Sequence, residues 1–208
     1  MEKTNNAPEA LYSAVLSGLD LLPIAFVVLD QRGKILIANR AAKKAMGRGH
    51  TIAITHDVLS VESSQQNKNL RELIVSVGQA EERAFSAITV SRGAEKPIPM
   101  LVIPVKNSRR PGQPASLVFF NDPEVACVPD AALLARLFGF TRAEARVASL
   151  VMQGKIVGDI AAALQITEHT TRNHLKRLFA KTNTRKQGEL VYALLSSPAF
   201  LSFTPQDR

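Results

Sequence analysis

The chain has 208 residues, of which 46% are hydrophobic and 21% are charged. This composition is that of a folded globular protein and excludes a disordered chain, and the length allows two small domains. Apolar runs such as residues 21–29 are shorter than the roughly 20 residues that span a bilayer. Residues 1–9 lack the basic start of a signal peptide. We therefore expect a cytoplasmic protein that makes no membrane contact.

Cysteine usage and the distribution of charge narrow the choice further. Cys127 is the single cysteine, which excludes an internal disulfide framework and a cysteine-based zinc site. The formal net charge is +8. Residues 1–130 hold 15 Lys+Arg and 13 Asp+Glu, whereas residues 131–208 hold 11 and 5. The last third thus carries most of the positive excess, which favours a nucleic-acid partner, although a solvated basic surface would give the same counts.

The first part of the chain mixes strand and helix patterns. Short β-branched runs separated by Gly, Pro and polar clusters predict strands at residues 24–29, 34–37, 84–91, 100–105 and 116–120. Helical periodicity interleaves with them at residues 9–19, 39–45 and 70–80. These patterns predict an α+β domain with a small antiparallel sheet and flanking helices.

The opening of this domain is its most specific part. Residues 22–42, LPIAFVVLDQRGKILIANRAA, predict a strand, a tight Gln-Arg-Gly turn, a second strand and a helix capped by Asn39. This segment resembles the opening of a PAS domain, a small sensor fold, and the resemblance extends over residues 11–122. It implies a PAS-like sensory or dimerisation domain.

The sequence indicates no cofactor in the PAS-like domain. His50 and His56 are its histidines, and both lie in a loop region, where a surface histidine is far commoner than a haem ligand. Apolar strand residues would line any ligand cavity, but the same residues are expected to fill the core, and we favour the core. These residues are Phe26, Val28, Ile37, Phe85, Ile88, Val102 and Phe119. The sequence leaves open whether this domain binds a small-molecule ligand.

Residues 121–130, NDPEVACVPD, suit a connection between domains because they contain two prolines and several acidic residues. We place a linker at residues 123–132 and a second, all-helical domain at residues 133–197. In this domain helical patterns cover residues 142–152, 157–164, 168–181 and 186–195, joined by short loops. The sequence thus predicts an all-α four-helix domain after the PAS-like domain.

The second and third of these helices form a helix-turn-helix pattern. Gln165, Ile166 and Thr167 make the turn, and Thr167 is a good N-cap for the following helix. In a helix-turn-helix the second helix enters the major groove of DNA. Residues at spacings of three and four on helix 168–181 form a stripe suited to the domain core, namely Thr171, Leu175, Leu178, Phe179 and Thr182.

The opposite face of helix 168–181 carries groups that can recognise DNA. Arg172, Asn173 and Lys176 lie within about one turn, and Arg, Lys and Asn can pair with the edges of guanine and adenine. We assign these three residues to base edges. A second set is assigned to phosphates or to positioning, and consists of Thr167, Thr170, His174, Arg177, Lys181, Arg185 and Lys186. For His174 a half-buried histidine with satisfied hydrogen bonds is the favoured alternative.

Several segments of the last third resemble the LuxR-type helix-turn-helix family over residues 133–197. They are Phe140-Thr-Arg-Ala-Glu144, Gly154-Lys155, Asp159-Ile-Ala161, Ile166-Thr-Glu-His-Thr-Thr-Arg-Asn-His174 and Lys181-Thr-Asn-Thr-Arg-Lys-Gln-Gly-Glu-Leu-Val191. Three positions depart from the family pattern. Ile156 replaces a small hydroxyl residue that caps the scaffold helix, Gly158 weakens that helix, and Thr171 replaces an apolar residue.

The resemblance implies a bacterial one-component transcription regulator that binds double-stranded DNA. It also implies a homodimer formed through the last helix, where Leu190, Val191, Leu194 and Leu195 offer an apolar stripe that could equally be core. The alternative function is a protein-interaction module that recruits transcription machinery without base-specific contact. An enzyme is not expected, because no nucleophile with a base, carboxylate pair, metal cluster or complete phosphate-binding loop stands out.

Overall fold

The computed structural model describes residues 7–47, 51–79, 85–105, 114–123, 127–202 and 204–205. Contacts divide the chain into two compact units, Met1–Glu124 and Val125–Arg208. We describe each unit by itself. Among the described residues, no helix has both the length and the apolar character that a membrane crossing requires.

The N-terminal unit is an antiparallel sheet with helices beside it. In chain order its elements are α1 (Ala7–Asp20), β1 (Ala25–Asp30), β2 (Ile35–Ala38), α2 (Arg40–Gly47), β3 (Ile52–Thr55), β4 (Val58–Val61), α3 (Ser64–Gln79), β5 (Ser86–Arg92), β6 (Glu95–Pro104) and β7 (Pro114–Phe120). The main sheet has the order β2-β1-β7-β6-β5, and β3 pairs with β4. The expected α+β architecture, an antiparallel sheet with flanking helices, is confirmed.

The β1–β2 hairpin forms where the sequence predicts it. The Asp30 carboxylate accepts hydrogen bonds from the backbone N–H groups of Arg32 at 2.8 Å and Lys34 at 2.9 Å. Gly33 takes a φ of 79°, which an L side chain rarely adopts. Local side-chain bonding and a glycine therefore fix this turn and, through it, the strand register.

Asn39 joins three segments of the N-terminal unit. Its Oδ1 accepts from the backbone N–H groups of Ala42 and Phe26, each at 3.0 Å. Its Nδ2 donates to the carbonyl oxygens of Leu19 and Ile24. The first of these bonds confirms the predicted cap of α2. The others attach the helix start to the end of α1 and to β1, so this 2% exposed side chain is fully bonded.

The core lies on one face of the main sheet, under α2 and α3. Val27 and Leu29 of β1 point into it, together with Leu70 and Ile74 of α3. Alternate residues of a strand point to opposite faces, so Phe26 and Val28 face away from this core. Phe26 pairs with Phe119, and their ring centroids lie 5.1 Å apart.

The list of predicted core residues therefore mixes the two faces of the sheet. Val102 is fully buried in the core and Ile88 packs against its edge. Phe26, Val28, Ile37 and Phe119 instead share the opposite face, as their strand register requires. Phe85 was expected to be buried, which is wrong, because it precedes β5 and is 67% exposed.

Some elements of the N-terminal unit have no clear signal in the sequence. β3 and β4 were not predicted, and α3 begins at Ser64 rather than at residue 70. The first turns of α3 are polar and show no apolar period. They are held instead by Gln66, whose side chain accepts from Ser91 N at 2.8 Å and donates to Ser91 O at 3.2 Å. Tertiary bonding extends this helix beyond its hydrophobic pattern.

The C-terminal unit is helical apart from one short strand pair. Its elements are β8 (Cys127–Val128), α4 (Ala131–Phe138), α5 (Arg142–Met152), α6 (Val157–Leu164), α7 (Glu168–Thr182), α8 (Gln187–Leu195), a 3-10 helix (Pro198–Ser202) and β9 (Thr204–Pro205), which pairs with β8. The expected helices 142–152, 157–164, 168–181 and 186–195 are all present, with ends that agree within one residue.

α4 is the main addition to the predicted helices. It begins at Ala131, inside the predicted linker, because the Asp130 side chain accepts from the N–H groups of Ala132 and Leu133. It ends at Gly139, which has a φ of 64°. Leu134 of α4 is fully buried with the side chains that α5, α6, α7 and α8 contribute to one core. α4 thus belongs to the helical domain.

Candidate nucleic-acid interface

The turn between α6 and α7 is fixed by backbone geometry and a cap. Gln165 ends α6 in the left-handed conformation, with a φ of 54°. Thr167 then caps α7, because its Oγ1 accepts from the backbone N–H of Thr170 at 3.1 Å. Glu168 follows in the first turn, where the positive end of the helix dipole stabilises a negative charge. The result is two helices joined by a short, rigid turn.

α7 has one buried stripe, which attaches it to the core. Thr171, Leu175 and Leu178 are buried, and Phe179 packs partly against the same cluster. Thr171 is polar where the family places an apolar residue, and its hydroxyl donates to the carbonyl oxygen of Thr167 at 3.2 Å. This bond satisfies the buried hydroxyl, so the substitution leaves the packing of α7 intact.

The opposite face of α7 is open to solvent. Arg172, Asn173 and Lys176 are all exposed, and so are the other residues expected on this face, His169, Arg177 and Ala180. The Arg172 guanidinium donates from Nη2 to Glu168 Oε2 at 2.7 Å. The three residues assigned to base edges thus lie together on a surface that a DNA groove can reach.

The residues assigned to phosphates or positioning fall into different environments. Thr167 serves as the cap, and its hydroxyl lies 2.9 Å from the hydroxyl of half-buried Thr170. Arg177, Arg185 and Lys186 are exposed, the last two in the loop between α7 and α8. This loop and the exposed face of α7 both belong to the C-terminal unit.

His174 is half-buried, as the alternative interpretation expected. Its hydrogen bonds are not satisfied, however, because its Nδ1 is buried and finds no partner among the described residues. A buried ring nitrogen without a partner carries a desolvation cost that a fully bonded histidine avoids.

Lys181 stands apart from the other basic residues of α7. Its Nζ donates to Glu144 Oε2 and to the carbonyl oxygen of Gly139, each at 2.7 Å. Glu144 is 1% exposed and also accepts from the backbone N–H of Thr141 at 2.8 Å, in a capping box that starts α5. This network gives Lys181 a structural role between α7 and α5.

The charge state of Glu144 follows from this network. Burial by itself raises the pKa of Glu144, but hydrogen bonds from Lys181 and Thr141 and the charge of Lys181 oppose that effect. The net result is a pKa below its usual value of 4.5. Glu144 is therefore ionised at neutral pH and paired with Lys181 inside the unit.

The residues assigned to dimerisation are divided between core and surface. Leu190 and Leu194 are fully buried in the core of the unit, and Val191 packs against it. Leu195 is 43% exposed. The exposed apolar residue of α8 that the sequence analysis missed is Tyr192, at 75% exposure. Its spacing from Leu195 could have indicated a second face of the helix.

The described residues contain no group of three or more His, Cys, Asp or Glu side chains that could hold a metal ion. Of the histidines considered for haem, His56 is exposed in the β3–β4 turn with a φ of 52°, and His50 lies outside the described residues.

Comparison with known families agrees with this geometry. Residues 139–194 match the model of the family described as bacterial regulatory proteins, luxR family. The C-terminal unit contains a LuxR-type domain. The match begins at the C-cap glycine of α4 and ends within α8, so it includes the helix-turn-helix and the Glu144–Lys181 network. No curated protein matches this chain.

Solved structures match this chain at low sequence identity. A Vibrio cholerae VqmA–ligand–DNA complex is 17% identical, with 93% of this chain and 90% of that chain covered and a TM-score of 0.39. A Vibrio cholerae VqmA dimer without target DNA is 18% identical, with 92% and 90% covered and a TM-score of 0.38. The PAS domain of Bordetella pertussis BvgS is 18% identical, with 62% and 94% covered and a TM-score of 0.38.

Proposed function

We propose that this protein is a bacterial one-component transcription regulator, in which the LuxR-type domain reads the major groove with α7 and the PAS-like domain supplies control. The observation that carries the proposal is the exposed cluster of Arg172, Asn173 and Lys176, opposite a stripe that anchors α7 in the core. A helix held on one side and bearing base-pairing groups on the other is suited to a groove.

Phosphate contacts are proposed to come from residues around this cluster. Thr167 and Thr170 lie at the start of α7, where open backbone N–H groups favour an anion. Arg177, Arg185 and Lys186 add exposed positive charge. His174 is kept as a positioning residue, and Lys181 acts indirectly by holding α7 against α5. A regulator of this kind acts on the chromosome, in the bacterial cytoplasm.

The first experiment is selection of purified full-length protein on random duplex DNA, followed by sequencing of the bound fraction at fixed salt. Wild-type protein should enrich a specific sequence. Arg172→Ala and Lys176→Ala should relax the preference at one or two base pairs each, at about 1–3 kcal/mol per lost bidentate contact. Arg136→Ala is the matched control, because it removes an exposed arginine from α4 of the same unit.

Three results would contradict our expectations. Salt-dependent binding without any enriched sequence would mean phosphate contact alone. Absence of duplex binding together with capture of transcription proteins would favour the interaction module. Turnover of a substrate by the purified protein would contradict the expectation from the sequence that it is not an enzyme.

A homodimer is proposed to form through the exposed side of α8, with Tyr192 and Leu195 at its centre rather than the buried Leu190 and Leu194. Two-fold symmetry would then appear in the operator as a palindrome with half-sites about one helical turn apart. Tyr192→Lys should leave the fold intact, since the side chain is 75% exposed, and should reduce the mass of the operator complex to one protomer. An operator complex of unchanged mass would contradict this interface.

A further inference from the structure

The side chain of Glu168, in the first turn of α7, lies close to Gly158 of α6 and to Arg172. One carboxylate oxygen, Oε2, accepts from Arg172 Nη2 at 2.7 Å. The other, Oε1, lies 3.5 Å from the position that a Cβ would occupy on Gly158 in the first turns of α6. The Glu168 carboxylate therefore lies near Gly158 of α6 while it binds the arginine that we assign to a base edge.

The ion pair contributes little to folding. The Arg172 and Glu168 side chains are 59% and 52% exposed, and solvent screens pairs of this kind. Its effect on the arginine is different. A free arginine loses substantial rotamer entropy when it binds, whereas one already held by a carboxylate loses less. The guanidinium keeps unused donors that can reach the O6 and N7 atoms of guanine.

The negative charge of Glu168 also affects whether Arg172 binds a base edge or a phosphate. A carboxylate beside the guanidinium lowers the local positive charge and opposes approach to a phosphate. The same carboxylate tolerates a base edge, since guanine O6 and N7 carry no formal charge. Glu168 thus favours base contact over backbone contact at this position.

We propose that Glu168 is a positioning residue for base recognition, which orients Arg172 towards a guanine and reduces its binding to phosphate. This inference rests on the proposed function, in which Arg172 contacts a base. It goes further because it assigns sequence specificity to an acidic residue that does not itself need to touch DNA.

The test compares Glu168→Gln with Glu189→Gln in the full-length protein. Glu189 is a matched control, because it also lies in the first turn of a helix and its replacement by Gln changes the net charge equally. Its carboxylate also accepts a hydrogen bond, from Arg185 N at 2.7 Å, which the amide oxygen of Gln can keep. Affinities are measured for the selected duplex and for a duplex changed at the base pair where Arg172→Ala loses preference. The quantity compared is the ratio of these two affinities. Glu168→Gln should lower this ratio about five- to tenfold, within the range of one bidentate contact. Glu189→Gln should leave it unchanged.

Salt dependence gives a second readout that a purely structural role would not alter. A released Arg172 can bind a phosphate, so the salt slope of non-specific binding should steepen by about 0.9 in Glu168→Gln. In the Arg172→Ala background, Glu168→Gln should change neither the ratio nor the slope. Circular dichroism verifies that each variant is folded.

The outcomes separate this inference from the proposed function. A wild-type preference that Glu168→Gln preserves would overturn the inference alone, and so would an equal loss in Glu189→Gln. A wild-type protein without any sequence preference would overturn the proposed function, and the inference with it. A lower affinity ratio in Glu168→Gln, with no such effect of the same substitution in the Arg172→Ala background, would support both the inference and the proposed function.

Discussion

At the scale of single residues, Glu144 links the stability of the LuxR-type domain to pH. Its pKa lies below its usual value of 4.5, because hydrogen bonds and the charge of Lys181 outweigh burial. A carboxyl whose pKa is lower in the folded state stabilises that state above its unfolded pKa, and the stabilisation is lost as pH falls through the folded pKa. The Glu144–Lys181 pair therefore supports the LuxR-type domain at neutral pH and fails in acid.

Replacement of Glu144 by Gln should reveal this contribution. At neutral pH Glu144→Gln should lower the free energy of unfolding by about 2 kcal/mol, less than a fully buried pair would lose because Lys181 is partly exposed. The difference from wild type should begin to shrink as the pH falls below the usual glutamate pKa of 4.5, and should disappear once the pH has passed the lowered pKa of folded Glu144. Urea unfolding between neutral and acidic pH measures it. Glu189→Gln serves as control, and a difference that stayed constant with pH would contradict the assignment.

Two glycines of the LuxR-type domain should respond oppositely to alanine. A Cβ on Gly158 would lie 3.5 Å from Glu168 Oε1, an ordinary contact, and alanine is the better helix former. Gly158→Ala should therefore stabilise the domain by about 1 kcal/mol. Gly154 has a φ of 76°, so Gly154→Ala should destabilise it by about 1 kcal/mol even though nothing would touch the new methyl group. Thermal unfolding compares the two, and equal signs would contradict this interpretation.

How far single residues could be predicted depends on how local their partners are. The exposed set on α7 and the caps at Asn39 and Thr167 follow from helical spacing and neighbouring backbone groups. The partners of Lys181 lie 37 and 42 positions away in the chain, so spacing on α7 alone could not find them. The base-edge and phosphate assignments stay predictions.

At the level of elements, α6 shows the effect of an unusual cap. Ile156 occupies its N-cap with no side-chain hydrogen bond and is 66% exposed. The departure noticed in the sequence thus leaves the start of the scaffold helix without a side-chain acceptor. The helix persists because Ile160 and Ala161 are buried in the core.

A hydroxyl at position 156 should strengthen α6. Ile156→Thr places an acceptor at the N-cap, where the preferred side chains contribute about 0.5–2 kcal/mol. Ile156→Val is the matched control, because valine has the shape of threonine without the hydroxyl. The difference between the two variants in urea unfolding isolates the cap. If both variants shift stability equally, the gain comes from removing an exposed apolar side chain and the cap has no role.

Element prediction succeeded where apolar periodicity was strong and failed where tertiary bonds compensate for its absence. α5 and α6 have the expected ends because each has a clear apolar stripe and a turn residue at its boundary. The strands β3 and β4 have only four residues each, and α3 gains its first turns through Gln66 and Ser91. The two faces of β1 were not separated in advance, because all of its residues are buried and alternation gives no signal.

For the whole molecule, the amino-acid composition predicted a nucleic-acid partner but did not predict the signal that controls the protein. The basic excess of residues 131–208 agrees with a LuxR-type domain at residues 139–194. The order of a sensor-like α+β unit followed by a helical unit was also predictable, since the periods of the two halves differ. The signal that the PAS-like domain would sense could not be predicted, because the same apolar residues can fill the core or line a ligand cavity.

The division into two units with separate cores predicts that DNA recognition does not require the PAS-like domain to be present. Each unit has its own buried cluster, and the residues assigned to bases all lie in the C-terminal one. A fragment of residues 125–208 should fold, with helical circular dichroism and one cooperative transition. It should prefer the same base pairs as the full chain, with weaker overall affinity if the PAS-like domain supports dimerisation. Selection on random duplexes measures both. A folded fragment that enriches no sequence, beside a full chain that does, would mean that the first 124 residues help to build the reading surface.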